Sequence, residues 1–234
     1  MNKELFLKEL EKINITLTEE QLTKLDTFYK LLVEKNKLMN LTAITDKEEV
    51  YLKHFYDSLT LQKVLDLKEN IRICDLGTGA GFPGIVLKIA FPNLKVTLVD
   101  SLNKRIEFLK EVKKTLNLEN IDIISSRIED FSKQNKEKFD VLVTRAVAKT
   151  NVILELGTQA LKVNGYFILM KGDIEEELKN SKNSLKKLNY NIEQIDKFNL
   201  PIENSLRTLL KLKKLCPTND IYPRDFAKIK KNPL

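Results

Sequence analysis

The stretch Ile71–Gly84, which reads IRICDLGTGAGFPG, decides the fold. It is an apolar run that meets an acid, Asp75, and passes through a glycine-rich loop into a second apolar run, Ile85–Phe91. This order predicts a strand, a tight turn and a helix, with Pro83 near the first helical turn. Because glycine has no Cβ, the alternating glycines permit positive φ and let a ligand approach the main chain. The stretch therefore predicts a ligand-binding loop at the end of a strand.

Two classes of nucleotide cofactor fit this loop. Gly79, Gly81 and Gly84 satisfy the dinucleotide spacing G-x-G-x-x-G. A pyrophosphate, however, needs N–H donors at the helix N-terminus, and Pro83 removes one of them. The run from Asp75 through the first glycines is instead similar to the first motif of the S-adenosylmethionine-dependent methyltransferases. The loop alone therefore favours S-adenosylmethionine over NAD.

Asp100 is a second, independent indication that this loop binds a nucleotide cofactor. It ends the next apolar run, Lys95–Asp100, and an acid at that position binds the ribose hydroxyls that either cofactor carries. A tight turn with no ligand remains the third interpretation of the glycines. The acid at the end of the next strand makes that interpretation the weakest of the three.

Composition predicts a globular protein and is compatible with a polyanionic partner. Of the 234 residues, 42% are apolar and 31% are charged, with a net charge of +7. This charge is equally compatible with a polyanionic partner such as a nucleic acid and with a composition that is merely rich in lysine. We expect no membrane span, no secretion signal and a cytoplasmic location. Cys74 and Cys216 are too few for a disulfide framework or a zinc site, so no metal is expected.

Arginine is the rarer cation in this chain. Only six of its 40 basic residues are arginine, whose planar fork matches phosphates and base edges. Four of the six, Arg105, Arg127, Arg145 and Arg224, fall beside candidate site segments, whereas Arg72 and Arg207 are assigned to strands. The four are therefore candidate site residues.

The chain divides into a helical cap, 1–67, and a methyltransferase-like domain with a basic tail, 68–234. In the cap, Thr18 and Gln21 form a capping box before a helix that includes Leu22–Val33. A second helical stretch follows Asp46 and is expected to break near Asp57.

From residue 71 onward, strand and helix patterns alternate, which predicts an α/β fold with a doubly wound, seven-stranded sheet. Strands are predicted at 71–75, 95–100, 121–125, 139–143 and 165–170, with an antiparallel pair at 192–198 and 206–215. Helices are predicted at 85–91, 102–116, 152–161 and 173–188.

Ligands of such sheets lie beyond the carboxyl ends of the strands. The residues just after the strands are therefore the candidates, with Asp100 for the ribose and the backbone of Ile128 and Glu129 for the adenine. Arg145 faces the predicted junction of cofactor and substrate. Arg145 and Lys171 are equally compatible with solvated charges at strand ends.

The whole pattern closely resembles the RsmG family (formerly glucose-inhibited division protein B), bacterial guanine-N7 methyltransferases of 16S ribosomal RNA. The resemblance rests on Asn40-Leu41-Thr42, His54 with Asp57-Ser58-Leu59, Gly77–Gly84, Lys104-Arg105, Arg127 with Glu129, Arg145-Ala146, Met170-Lys171-Gly172, Tyr222-Pro223-Arg224 and Asn232-Pro233-Leu234. It implies S-adenosylmethionine as cofactor and small-subunit ribosomal RNA as partner.

The resemblance also assigns roles to residues. Together with the loop motif, it places Asp75, Gly77, Gly79, Gly81, Phe82, Asp100, Ser101, Ile128, Glu129 and Arg145 at the cofactor. Arg145 and Lys171 are expected to position the substrate. Asn40 and His54 in the cap and Arg224 in the tail are expected on the RNA side. We expect a monomer.

Guanine N7 has a free lone pair and no proton, so no general base is expected, in agreement with a chain that contains one histidine. A lone histidine among helical residues is more often packed than catalytic. The alternatives are a methyltransferase acting on another RNA base or a protein side chain, an NAD-dependent oxidoreductase, and a non-enzymatic RNA-binding protein.

Overall fold

The cap of the protein is entirely helical in the computed structural model, which describes residues 1–234. Its elements are α1 (Lys3–Glu11), α2 (Glu19–Met39), α3 (Lys47–Val50), a π-helical turn (Tyr51–Tyr56), α4 (Asp57–Leu59) and a 3₁₀ turn (Thr60–Lys63). The last four follow one another without a break. The expected break near Asp57 is therefore a change of helix type.

Local capping explains where α2 begins and ends. The Gln21 amide donates to Thr18 Oγ1 over 3.2 Å, and the Thr18 amide donates to Gln21 Oε1 over 2.8 Å, which is the predicted capping box. The helix ends at Asn40, whose left-handed φ of 52° is typical of a helix C-terminus. Helix α1 was not predicted, although Asn2 caps it and its buried residues Phe6 and Leu10 are four positions apart.

The sheet has the predicted seven strands. They are β1 (Arg72–Leu76), β2 (Lys95–Asp100), β3 (Ile121–Ser125), β4 (Phe139–Arg145), β5 (Leu161–Lys171), β6 (Tyr190–Asn199) and β7 (Leu206–Lys214). Their order is β3-β2-β1-β4-β5-β7-β6, with β1 to β5 parallel and β7 antiparallel to both neighbours. The order reverses between β1 and β4, so ligands are expected beyond the ends of those strands.

Helices cover both faces of the sheet. They are α5 (Gly84–Ala90), α6 (Asn103–Thr115), α7 (Ile128–Gln134), α8 (Thr150–Gly157), α9 (Glu175–Asn180), α10 (Lys182–Lys187) and α11 (Phe226–Lys231). The predicted helix 173–188 is divided at Ser181, whose hydroxyl donates to the carbonyl of Glu177 and competes with the backbone ladder. Helices α7 and α11 were not predicted, since neither has a side-chain cap and each is one turn or two long.

The cap and the sheet share one hydrophobic core. A cluster of 43 buried residues includes Phe6, Phe28 and Phe55 of the cap together with Val96 and Ile168 of the sheet. A second cluster of 22 residues lies on the opposite face of the sheet. The division of the chain near residue 67 stays a prediction. None of the helices combines the length and apolarity that crossing a membrane requires.

Candidate active site

The glycine loop after β1 adopts the backbone that its sequence predicts. Gly77, Gly79 and Gly81 have φ values of 71°, 60° and 97°. A Cβ at Gly77 would lie 2.6 Å from Val147, and one at Gly81 would lie 2.6 Å from Ile85. Neither position therefore has room for a side chain. A Cβ at Gly79 would meet no atom within 4 Å. Gly79 is thus the point of the loop where a ligand can reach the backbone.

Asp75 stabilises this loop by hydrogen bonds near both of its ends. It is fully buried, and its Oδ2 accepts hydrogen bonds from Thr78 Oγ1 (2.7 Å) and from the Gly84 amide (2.9 Å). Its Oδ1 is buried without any partner. Burial raises the pKa of Asp75 to about 6 against the lowering effect of these bonds. A buried acceptor left unsatisfied costs free energy, so Asp75 Oδ1 has the capacity for one further donor.

Asp100 ties the loop to the end of β2. Its carboxylate is 4% exposed and accepts hydrogen bonds from the amides of Gly79 (3.0 Å) and Leu102 (2.9 Å). Arg105 donates to the same oxygen as Gly79 over 3.1 Å. A carboxylate has about four acceptor sites, so one remains for a ribose hydroxyl, and a second opens if Arg105 turns away.

A cavity of about 420 Å³ opens above these residues and is called the Asp100 cavity here. Five of the predicted cofactor residues line it: Gly77, Asp100, Ser101, Ile128 and Glu129. The predicted residues Asp75, Gly79, Gly81 and Phe82 belong to the loop beside it, and Arg145 lines the neighbouring cavity instead. A carboxylate at one wall with apolar side chains at the others suits a nucleoside, so the residues present fit S-adenosylmethionine.

The neighbouring cavity, called the Arg145 cavity here, measures about 490 Å³. It is lined by Ile44, Lys53, His54, Asp57, Arg145, Ala146, Met170, Lys171, Gly172, Glu177 and Arg207. Ala146 lines both cavities and has a left-handed φ of 54°, a strained conformation for a residue with a Cβ. The two cavities therefore meet at the residue that follows β4.

Arg145 is held on all sides. Its NH1 donates to Asp57 Oδ2 and to the carbonyl of Lys53, both over 2.9 Å. Its NH2 donates to His54 Nδ1 over 3.2 Å, and its guanidinium lies 5.2 Å from the centre of the Phe82 ring. The guanidinium is thus fixed between the cap and the glycine loop. This agrees with a positioning role.

His54 is neutral at physiological pH. Burial, and then the charge of Arg145, lower its pKa to about 3. Nδ1 lies 3.2 Å both from Arg145 NH2, which can only donate, and from the carbonyl oxygen of Lys53, which can only accept, while Nε2 lies 3.0 Å from Thr42 Oγ1. Each ring nitrogen therefore has a partner within the protein, whichever of the two carries the proton. The imidazole therefore has no free nitrogen with which to take a proton from a substrate.

Lys171 and Arg207 complete the cationic wall. Lys171 donates to the carbonyl of Ala148 (2.6 Å) and to Glu177 Oε2 (2.9 Å). Arg207 donates through Nε to Asp57 Oδ1 over 3.1 Å, so Asp57 binds one arginine with each oxygen. Sequence analysis assigned Arg207 to a strand only. The scarcity of arginine was the one signal that could have placed it in the site.

The other predicted RNA-side residues lie elsewhere. Asn40 is exposed and ends α2, while Thr42, two positions on, makes the contact with His54. Arg224 donates to Glu155 from its amide and from Nε and NH2, so its charge is already balanced by a buried carboxylate. RNA contacts of Asn40, His54 and Arg224 stay predictions. No group of three or more His, Cys, Asp or Glu side chains is placed to hold a metal ion.

Comparison with protein families agrees with this geometry. The family model described as "GidB: rRNA small subunit methyltransferase G" matches residues 21–206. The chain belongs to this family. It is accordingly an S-adenosylmethionine-dependent methyltransferase, which sets aside the oxidoreductase and the non-enzymatic alternatives.

Relatives of the family are similar over the whole length. The chain is 44% identical to a protein named Ribosomal RNA small subunit methyltransferase G from Bacillus licheniformis, covering 100% of this chain and 99% of the relative. It is 42% identical to the protein of the same name from Staphylococcus carnosus over 100% and 99% of the two chains.

Solved structures support the class of fold. A SAM-dependent methyltransferase from Aquifex aeolicus superimposes with a TM-score of 0.55 at 19% identity, covering 78% of this chain and 98% of that chain. Aeropyrum pernix fibrillarin with natively bound S-adenosyl-L-methionine gives a TM-score of 0.52 at 17% identity, over 63% and 68% of the chains. Both show the α/β fold that the sequence predicts.

Proposed function

We propose that the protein methylates N7 of a guanine in small-subunit (16S) ribosomal RNA, with the base in the Arg145 cavity and S-adenosylmethionine in the Asp100 cavity. The names of the full-length relatives support ribosomal RNA of the small subunit as substrate. The net charge of +7 is consistent with a polyanionic partner. The protein would act as a monomer in the cytoplasm.

One observation supports the acceptor atom: no group in the Arg145 cavity is free to take a proton. Its histidine has a pKa of about 3, and its two carboxylates, Asp57 and Glu177, are paired with Arg145, Arg207 and Lys171. Guanine N7 presents a lone pair and loses no proton on methylation. The cavity is thus suited to an acceptor of this kind.

The chain would act by orientation. S-adenosylmethionine, which Asp100 and the backbone of Ile128 and Glu129 would hold, would supply an electrophilic methyl group from its sulfonium, and the electron pair of the carbon–sulfur bond would stay on sulfur. Arg145 or Lys171 would donate to O6 and hold N7 in line with the methyl carbon, which lowers the barrier by several kcal/mol. In A-form RNA, N7 lies in a deep, narrow groove, so the target base must be unpaired or splayed out.

Atomic substitution tests the proposal. The modified nucleotide is first mapped in 16S ribosomal RNA from cells with and without the gene. The purified protein is then given RNA, or small subunits, with guanosine or 7-deazaguanosine at that nucleotide. We expect methyl transfer only to guanosine, because the analogue lacks N7 and keeps the other groups. Methylation of the 7-deaza substrate would favour the alternative of another acceptor.

A further inference from the structure

The C-terminal segment, Tyr222–Leu234, is anchored to the sheet domain at several points. Arg224 makes three hydrogen bonds of 2.7 to 3.0 Å to Glu155, which is fully buried on α8. The carbonyl of Tyr222 accepts a hydrogen bond from Gln159 over 2.8 Å. Ile229 is fully buried in the core on that face of the sheet. The segment is thus fixed on both sides of residue 226.

Phe226, between these anchors, keeps 43% of its surface exposed. It lines the Asp100 cavity, where it lies with Val152 and Leu156 of α8. Leu102, which follows β2, lines the same cavity and is also 43% exposed. Two large apolar side chains that remain accessible in one cavity are what a flat aromatic ligand buries on binding.

The position within the cavity indicates which part of the ligand Phe226 meets. The cavity also contains Ser126, Ile128 and Glu129, which follow β3, and Asp100, which follows β2. Asp75 and Arg145, at the end where methyl transfer would occur, do not line it. The same cavity also contains Ala146, where it meets the Arg145 cavity. Phe226 therefore lines the cavity that the proposed placement assigns to the nucleoside.

We propose that Phe226 is a cofactor-binding residue that forms part of the wall around the adenine, and that the Arg224–Glu155 pair fixes it there. The proposal rests on the cofactor placement proposed above. Under this proposal the C-terminal segment has a role in cofactor binding that is separate from any contact with RNA.

The test uses the absence of tryptophan from the chain. Phe226→Trp introduces a single indole at the cavity, and Ile221→Trp introduces one at an exposed position of the chain that does not line it. S-adenosylhomocysteine and adenosine are expected to change the emission of the Phe226→Trp protein. S-ribosylhomocysteine, which lacks only the base, is expected to leave it unchanged, as are all three ligands with the Ile221→Trp protein.

Calorimetry on Phe226→Ala provides the second measurement. We expect the affinity for S-adenosylhomocysteine and adenosine to fall about fivefold to tenfold, because part of an apolar wall is lost. The affinity for S-ribosylhomocysteine is expected to be unchanged, which a general loosening of the segment would not produce. Ile221→Ala is the matched control.

The outcomes separate the two proposals. If the Asp100→Asn protein loses S-adenosylhomocysteine while Phe226→Ala and Phe226→Trp behave as the controls do, the placement of the cofactor stands and the role of Phe226 is overturned. If Asp100→Asn also binds normally, both the placement and the role of Phe226 are overturned.

Discussion

The imidazole of His54 stacks on the ring of Phe82, with centroids 4.4 Å apart and planes inclined by 22°. His54 belongs to the π-helical turn of the cap, and Phe82 belongs to the glycine loop. Arg145 contacts both rings. The geometry of the Arg145 cavity therefore depends on a neutral histidine packed against an arginine and a phenylalanine that also contact each other.

This packing predicts a stability change with pH. The pKa of His54 is about 3 in the folded protein and near 6.5 when unfolded, so below about pH 6.5 the unfolded state binds the additional proton. The stabilisation from His54 is complete above that pH and is lost as pH falls. Between pH 7.5 and 5, we expect the wild type to lose about 2 kcal/mol relative to His54→Gln, measured by urea denaturation. A difference that stays constant over this range would contradict the buried neutral state.

Cofactor affinity is expected to depend on Asp100. Asp100→Asn removes the charge that a ribose hydroxyl would meet and keeps the size of the side chain. We expect S-adenosylhomocysteine binding to weaken by about 1.5 to 3 kcal/mol in calorimetry. Asp122→Asn, an exposed acid on β3, is the control. Equal affinities of the two variants for S-adenosylhomocysteine would show that Asp100 does not bind the cofactor.

Arg224 is expected to contribute to folding stability. Arg224→Ala leaves Glu155 as a buried, unpaired carboxylate, which costs about 3 to 5 kcal/mol. Thermal or urea unfolding measures this loss. The double variant Arg224→Met with Glu155→Leu is expected to regain most of it, because no unpaired charge remains. Normal stability of the Arg224→Ala protein would show that the pair with Glu155 does not stabilise the fold, and Arg224 would then be available for the predicted RNA contact.

The rate of methyl transfer is expected to be nearly independent of pH. With enzyme saturating and a single turnover, we expect the rate to vary less than about threefold from roughly pH 6.5 to 9, since N7 loses no proton. His54→Gln is expected to keep this flat profile, even if its rate or stability falls. A rate that rises about tenfold per pH unit would require a deprotonation and would contradict the N7 mechanism.

Ala146 is expected to tolerate only small residues. A β-branched side chain is disfavoured at positive φ, so Ala146→Val should lose about 1 to 2 kcal/mol of stability, whereas Ala146→Gly should lose none. Because Ala146 lines both cavities, the valine variant should also weaken binding of S-adenosylhomocysteine. Calorimetry and urea denaturation on the pair of variants measure both effects. Equal behaviour of the two variants would show that neither the strain nor the shared wall matters.

Sequence alone predicted the sheet, since each strand is a short apolar run followed by a turn or an acid. The position of Asp100 and the glycine loop followed from the same local pattern. What sequence could not predict are pairings between distant residues. Asp57 and Arg207 are 150 positions apart, and Glu155 and Arg224 are 69 apart. Nothing in the local pattern around either arginine indicates its partner, because the partner is chosen by the assembled fold.

Short elements were missed for a different reason. Helix α11 has three lysines in six residues and buries only Ile229, so its pattern has no apolar stripe to detect. It is held in place by Arg224, which binds Glu155 just before the helix begins, and by Ile229 within it, which is buried in the core. Its placement, and with it the position of Phe226, is a tertiary effect.

The Arg145 cavity is lined by residues of both the cap and the sheet, which limits how the protein can be engineered by exchanging one of them. The cap contributes Lys53, His54 and Asp57, and the sheet contributes Arg145 and Arg207, which converge on Asp57. A cap transplanted onto the sheet of another methyltransferase would bring an acid without its two arginines. Under the proposed placement of the base in this cavity, a change of RNA target therefore requires moving residues of the cap and residues of the sheet together, because both build the cavity.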